Sequence, residues 1–453
     1  MASLHRIALP YLRDSCVIFS SLKHLPLPIF LDSANAYSEG GHFDIICAQP
    51  IDVITWHACD DKSLHHFLSE AEQRLKSVIT EYLDCDQLPF SGGAVGYIDY
   101  NFGELASNIR PSPRLEAPLS TPNFHVGIYP WAIVVDHHRK QCELVAQPSV
   151  SEKVLTHIKQ LVLNSPQQSL KNTARFQLTS SFTSTLDRKY YEQAFNQVQD
   201  YIQAGDCYQV NLTRAFNASY QGDTWPAYQK LRDIAAAPFS AYIDLGSSQV
   251  LSFSPERLLS ANNGKLQTQP IKGTAARSAD PDTDKALALA LQRSAKNRAE
   301  NIMIVDLLRN DFSKSCKAAS VRTDQLCELQ TFRTVHHLVS TVSGELREEC
   351  SSFQALLSCF PGGSITGAPK HRAMEIISEI EPHQRKVYCG SIFYLGGNGK
   401  MDSNIAIRSF LCDGEQITGW AGGGIVADSD VDEEFIETET KIGKLIQALA
   451  DFN

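Results

Sequence analysis

Hydrophobic positions change their period along this chain. Residues 1–162 carry short apolar runs at 17–20, 28–31, 45–47 and 132–135, separated by polar turns as in a set of strands. One stretch breaks that pattern: over residues 64–82, Leu64, Phe67, Leu68, Ala71, Leu75, Val78 and Ile79 recur near every 3.6 residues and predict a helix. From 163 to 184 the composition turns to Ser, Gln, Thr and Asn around Pro166, which predicts a linker. Beyond it a helix is expected over 186–204, with Tyr191, Ala194, Phe195, Val198 and Ile202 on one face and Gly205 as its stop. A strand over 207–212, a helix over 225–236 halted by Pro238, and a strand over 240–245 follow. Residues 249–269 read as two short strands around the turn Asn262-Asn263-Gly264. Asp280 as cap and Pro281 in the first turn open one long helix running through Leu291 toward Arg309. Strands and glycine-rich turns return over 386–424 before a final acidic helix. Runs of strands with inserted helices, rather than a regular alternation, predict an α+β fold. Two parts are expected, residues 1–165 and 180–453, and no repeat of solenoid period is present.

At 453 residues, 43% hydrophobic and 20% charged, the chain can bury a large core and is not a disordered sequence. A formal charge of -10 spread along it disfavours a nucleic-acid groove or a polybasic membrane surface, so an anionic ligand needs local positive groups. Twelve cysteines are scattered from Cys16 to Cys412 without a CxxC pair, which fits free thiols in a reducing cytoplasm better than a disulfide framework. Arg6, Arg13, Asp14 and Lys23 interrupt the start of the chain, and no apolar run has the length of a membrane span, so neither a signal peptide nor a membrane segment is expected.

Candidate chemistry concentrates in the second part. Pro270-Ile271-Lys272-Gly273-Thr274 places a lysine on a tight bend at a strand end; burial there would make its amine a nucleophile, whereas exposure would leave a surface lysine. In Ser254-Pro255-Glu256-Arg257 the proline ends the ladder and aims Glu256 outward, either as a proton donor or as half of a surface pair with Arg257. Glu300 lies on the long helix, and Glu434 and Glu437 stand three apart on one face of the last. If those helices approach, three carboxylates converge and invite Mg²⁺; otherwise they are two solvated acidic faces. The glycine-rich loop from Pro361 to Lys370, including Gly363 and Ser364, leads into a helix around 371–380. That helix start could seat an anion, with Arg408 and Lys441 adding charge. The loop is neither a Walker loop nor a dinucleotide fingerprint.

Taken together, SPERLL, QPIKGT, KNRAENIMIVDLLRND, HHLVSTVSGEL, PGGSITGAPK, GSIFYL, IAIRSF and GGGIVADSDVDEEFIET, spread from about Phe182 to the C-terminus, resemble the chorismate-utilising enzymes. The resemblance implies two packed antiparallel sheets surrounded by helices, with the N-terminal part interleaved with the catalytic part. Lysine at 272 matches the branch that transfers an amino group to C4 of chorismate, toward 4-aminobenzoate and folate, where anthranilate synthases carry alanine. Gln209 stands where isochorismate-forming relatives carry a water-activating lysine. The implied roles are Lys272 as nucleophile on chorismate and Glu256 as acid, with Glu300, Glu434 and Glu437 holding Mg²⁺. Arg408, Tyr388, Lys441, Gly363, Ser364, Thr274, His337, Gly422 and Gly423 would lie around the substrate, His337 being alternatively a satisfied core histidine. Ser33, in Phe30-Leu31-Asp32-Ser33, resembles the start of a tryptophan pocket. A separate glutaminase subunit is implied as the ammonia source, since nothing here resembles an amidotransferase nucleophile with its histidine. Two departures stand out: Asn297 where several relatives have an acid, and Phe393 where glycine is common, expected to place a ring beside the substrate wall. An anthranilate synthase component and a non-catalytic subunit that binds chorismate or tryptophan are the alternative functions.

Overall fold

Two antiparallel sheets carry the fold. The structure, a computed structural model, describes residues 2–34, 42–60, 63–80, 82–83, 85, 87–109, 120–164, 175–184, 186–331 and 335–452. Among these, the larger sheet has twelve strands and the smaller ten. The larger runs from Gln177–Leu178 through Gln209–Gln221, Gln416–Ile425, Ser409–Asp413, Ser248–Ser254 and Phe239–Asp244. It continues into Ile29–Asp32, Phe43–Cys47, Trp131–Asp136, Gln141–Ala146 and His5–Leu9. The smaller begins at Ile271–Ala276 and Val335–Glu345 and passes through Arg257–Asn262 and Ser391–Gly396 to Gly93–Ile98, Phe124–Tyr129 and Asp52–Trp56. Both sheets therefore draw strands from each end of the sequence. Ser240 lies opposite Asp32, and Ser391 opposite Ile98, which is the interleaving the resemblance implies. Of the expected linker, residues 165–174 lie outside the described residues.

Near-continuous apolar runs arise because the larger sheet is covered on both faces. Ile45, Cys47, Ala132 and Val134 belong to the core between the sheets, whereas Ile46, Trp131, Ile133 and Val135 face a second core. That second core is closed by the helices Cys16–Leu22, Glu152–Leu163, Thr224–Ala235 and Val431–Ala450. All twelve cysteines are free. No helix among the described residues is long and apolar enough to cross a membrane.

The helices expected over 64–82, 186–204 and 225–236 form as Leu64–Val78, Arg188–Gln203 and Thr224–Ala235, with ends set by capping side chains. The strand-like run at 17–20 instead lies in the helix Cys16–Leu22, and the helices Tyr100–Ala106, Glu152–Leu163 and Ser352–Cys359 were not expected. Ser63 accepts from His66 N–H at the start of Leu64–Val78, and Asp187 from Tyr190 N–H at the start of Arg188–Gln203. The single long helix expected after Asp280 is instead two, Pro281–Arg293 and Ala295–Ser313. Ser294 adopts an extended conformation (ψ 111°), ends the first and caps the second by accepting from Asn297 N–H. No glycine or proline marks this break. The two strands expected over 249–269 are three: Pro255, which has no N–H, ends Ser248–Ser254 in the larger sheet, and the chain resumes as Arg257–Asn262 in the smaller. Glu256 stands at that crossing.

Candidate active site

Beside the crossing opens a cavity of about 500 Å³, a size typical of small-molecule sites. Glu256 is 6% exposed. Its backbone N–H donates to Ser254 Oγ at 3.1 Å, and that hydroxyl donates to the Ile405 carbonyl at 2.6 Å. The carboxylate accepts from Ser364 Oγ at 3.0 Å and from the Ile271 N–H. Burial pushes its pKa up to about 7, outweighing the downward pull of Lys272 and of the hydrogen bond from Ser364. A carboxyl so placed keeps its proton for a substantial fraction of the time near neutrality.

Lys272 lies within the strand Ile271–Ala276, not on a bend at its end. Ile271 pairs with Val339 but Thr274 with His337, so one extra residue bulges from this edge strand. Gly273 supplies the conformation with φ +81°; a Cβ there would stand 2.8 Å from Leu291 Cδ1 and 2.9 Å from Asn297 Cγ. The bulge turns Lys272 into the cavity, where it is half-buried and, among the described residues, makes no hydrogen bond or ion pair. Burial holds its amine below the ordinary lysine range, against the opposing pull of Glu300 and Glu256. A lysine that keeps an uncharged fraction beside a protonated acid is equipped for nucleophilic attack coupled to leaving-group protonation.

Opposite, two helices bring the acids. Ala295–Ser313 contributes Asn297 and Glu300 and is held to the smaller sheet through Asn301, whose Nδ2 donates to the Leu338 carbonyl at 3.3 Å and whose Oδ1 accepts from Ser340. Val431–Ala450, capped by Asp430, contributes Glu434, Glu437 and Lys441 and packs Ile442, Leu445 and Leu449 into the second core. Arg214 pins it, with a guanidinium 4.0 Å from the Phe435 ring centroid and hydrogen-bonded to Thr438 at 3.1 Å. Glu300, Glu434 and Glu437 line one cavity, yet among the described residues no three such side chains are gathered to hold a metal ion. The expected convergence is one of wall position, not of a formed cage. Glu434 is buried, accepts from Ser429 Oγ at 2.8 Å, and is held above the usual carboxylate range by burial, with Glu437 adding to it. Glu437 pairs with Lys441 Nζ at 2.6 Å, and that amine also donates to the Gly422 carbonyl at 2.8 Å. Glu300 makes no hydrogen bond among the described residues. An all-carboxylate set with one member uncommitted fits a hard divalent cation.

The remaining expected residues divide. Thr274, His337, Ser364, Tyr388, Arg408, Gly422 and Lys441 line the cavity. His337 Nδ1 is 2.9 Å from Thr274 Oγ1, and burial pushes the ring down to about 4, so it serves as a neutral polar group. Arg408 is half-buried and has no carboxylate partner among the described residues, leaving a positive charge for an anion. Tyr388 stacks on Trp420, centroids 6.1 Å apart at 9°. Gly363 and Gly423 do not line the cavity. A Cβ on Gly363 would stand 2.2 Å from Leu307 Cδ2, and one on Gly423 2.6 Å from Glu434 Oε2, so a side chain at either position would displace those side-chain ends. The glycine-rich loop enters the cavity through Ser364 and Ile365, but the helix it feeds, Lys370–Ile380, starts elsewhere. Lys370 Nζ is bound by Asp311 Oδ2 at 2.6 Å and the Cys359 carbonyl at 2.9 Å, beside a separate groove, so that helix start is not an anion seat of this site.

Phe393 is also displaced from its expected place. Its ring is buried 6.1 Å from Phe353 and borders a small cavity of about 100 Å³ with Asp32, Phe43 and Phe239, not the substrate wall. Ser33 does not line that small cavity; its N–H and hydroxyl both donate to Asp44 Oδ1, at 2.8 and 2.7 Å. Asn211, Lys296, Ile407 and Trp420 line the larger cavity without having been expected. Asn211 had a signal, standing two residues after Gln209 and hence on the same strand face.

The chorismate binding enzyme family matches residues 28–447. Over 446 residues the chain is 41% identical to aminodeoxychorismate synthase component 1 of Escherichia coli (strain K12), covering 95% of each. It is 39% identical over 465 residues to the Klebsiella aerogenes protein of the same name, covering 99% of this chain and 100% of that relative. The crystal structure of anthranilate synthase component I from Streptococcus pneumoniae TIGR4 superimposes with a TM-score of 0.78 at 30% identity, over 90% of this chain and 93% of that one. With nearly the whole sequence matched and both sheets disposed around one cavity that holds a sheltered lysine and acid, the chain belongs to the chorismate binding enzyme family.

Proposed function

We propose that the chain converts chorismate and ammonia to 4-amino-4-deoxychorismate. The observation that carries this reading is Lys272, half-buried, without a hydrogen-bond or ion-pair partner among the described residues, and facing the same cavity as Glu256, whose carboxyl is pushed up to about 7. The Lys272 amine forms a bond to C2 of the ring, the two ring double bonds shift, and the C4–O bond breaks as Glu256 gives its proton to the departing hydroxyl. Ammonia then bonds to C4, the double bonds shift back, and the C2–N bond to Lys272 breaks. The Glu256 carboxylate takes the surplus proton from the incoming nitrogen, which returns both side chains to their starting states. Arg408 answers one substrate carboxylate. Mg²⁺ held by Glu300, Glu434 and Glu437 would supply charge neutralisation for the other. The relatives' designation as component 1 supports a second component, and a glutaminase that releases ammonia fits the chemistry.

Incubation with chorismate, Mg²⁺ and ammonium, without any second protein, should yield aminodeoxychorismate by mass spectrometry. A stalled reaction should carry a chorismate-derived adduct on Lys272. Fluorescent anthranilate as the product would replace this reading with that of the anthranilate synthases. Absence of turnover under these conditions would leave a binding subunit.

A further inference from the structure

Arg385 takes no part in the chemistry above and does not line the cavity, yet it is 0% exposed, a rare place for a guanidinium unless paired. Its partners account for the position. Nε and Nη2 donate to the two carboxylate oxygens of Glu381, also 0% exposed, at 2.9 and 2.7 Å. Nη1 donates to the Ile365 carbonyl at 2.9 Å, and Nη2 also to the Asn211 carbonyl at 2.6 Å. Both carbonyls belong to cavity-lining residues, one at the end of the turn Gly363–Ile365 and the other in the strand Gln209–Gln221. The same turn and strand are joined again where the Asn211 N–H donates to the Thr366 carbonyl at 2.9 Å. Glu381 holds the strand one step further on, accepting from Thr213 N–H at 2.9 Å and from Thr213 Oγ1 at 2.8 Å. Two more wall residues are bonded to the backbone beside the guanidinium: Tyr388 N–H donates to the Arg385 carbonyl at 2.9 Å, and Trp420 Nε1 to the Gln384 carbonyl at 3.0 Å. The Tyr100 ring, from the N-terminal part, covers the guanidinium at 4.5 Å.

A buried ion pair is a poor source of stability, because desolvating both charges cancels much of their attraction. A guanidinium fork, however, fixes several acceptors at set directions in one plane. Here the acceptors carry the catalytic acid's support: Ser364, the residue before Ile365, donates to Glu256 at 3.0 Å. A shift of the turn is therefore a shift of that hydroxyl. We propose that the Glu381–Arg385 pair is a positioning unit for the reaction, which ties the turn Gly363–Ile365 to the strand Gln209–Gln221 and so fixes Ser364 against Glu256 and aims the acid at its leaving group. This inference rests on the reaction proposed above. Glu256 is otherwise faced by the Ile271 N–H and by the ammonium groups of Lys272 and Lys441, none of which bonds to Glu381 or Arg385. The pair makes and breaks no bond in the reaction and acts only through the turn it holds.

The test follows Lys272 adduct formation from chorismate across pH, without ammonia, in wild type, Arg385→Lys, Ser364→Ala and the double variant, each rate divided by the folded fraction measured by thermal unfolding. One ammonium cannot reach both carbonyls and both carboxylate oxygens. Arg385→Lys should therefore lower the limiting rate about ten- to hundredfold. It should also move the alkaline limb to higher pH, because the Ser364 hydrogen bond favours the Glu256 carboxylate and its loss lets the acid keep its proton. Ser364→Ala should move the limb equally, and the double variant no further. A rate that falls only with the folded fraction, the limb staying in place, would overturn the proposal and leave the pair a structural role alone. A limb shift that adds to that of Ser364→Ala would also overturn it, since the pair would then act on Glu256 by another route, and so would an unmoved limb in Ser364→Ala. Glu381→Gln, which keeps the shape and removes the charge, carries the same readings should the lysine variant not fold. Wild-type protein that forms no Lys272 adduct, or that makes anthranilate, would instead remove the reaction on which the inference rests.

Discussion

Opposite shifts in two groups define the site at the scale of single residues. Glu256 is pushed up to about 7 and Lys272 is held down, each mainly because burial disfavours its charged form. The competent pair is the protonated acid with the neutral amine, the reverse of the ion pair the same residues would form in water. Because Glu256 must carry its proton, raising the pH through about 7 lowers the fraction of Glu256 able to act as the acid, by a limiting factor of about tenfold per unit. Lowering the pH instead protonates Lys272, so the profile should be a bell. The rate of Lys272 adduct formation from chorismate without ammonia checks this. Its alkaline limb should vanish in Glu256→Gln, with a rate about 10²-fold or more below wild type. An alkaline limb that persists in that variant would assign the acid elsewhere. The identities of both residues were legible in the sequence. Their protonation was not, because burial by Ser364, Ile271 and two helices comes from segments far apart along the chain. Gly363 and Gly423 show the converse: their motifs pointed to substrate, yet neither lines the cavity, and each sits against the end of Leu307 or Glu434.

At the scale of elements, the bulge at Lys272-Gly273 converts an ordinary edge strand into a delivery device. Replacing Gly273 with alanine forces a side chain into φ +81° and against Leu291 and Asn297. A cost of about 1–3 kcal/mol is expected, with the local strand shifted to relieve it. Thermal unfolding should show the lower stability, and Lys272 adduct formation should slow further than stability loss explains. An unaltered adduct rate in a less stable protein would separate the bulge from the chemistry. Periodicity located helices such as Leu64–Val78 and Arg188–Gln203, since a face buried against a sheet imposes a spacing on the sequence, but it left the short helix Cys16–Leu22 looking like a strand. It missed the break at Ser294, where no helix-breaking residue occurs and packing sets the new direction. It also merged the strands around Pro255, because a change of sheet leaves no mark in a pattern of alternating positions.

For the whole molecule, the ladders Ser240–Asp32 and Ser391–Ile98 make each half of the sequence the neighbour of the other in both sheets. A fragment of residues 180–453 would expose the edges of Phe239–Asp244 and Ser391–Gly396, together with core faces of both. Expressed alone, it should aggregate or lack a cooperative unfolding transition, and a monomeric, cooperatively folded fragment would contradict this dependence. The sequence by itself determined the α+β class, most helices and the residue types of the site, because periodicity, caps and motif strings are local properties written in residue order. Tertiary structure alone decided that Lys272 is sheltered and that burial pushes Glu256 up to about 7, that the helix after the glycine-rich loop starts outside the cavity, that Phe393 borders a different one, and that Gln209 is buried without a hydrogen-bond partner among the described residues. Burial, register and pKa are properties of neighbours brought together by folding, and no single segment contains them.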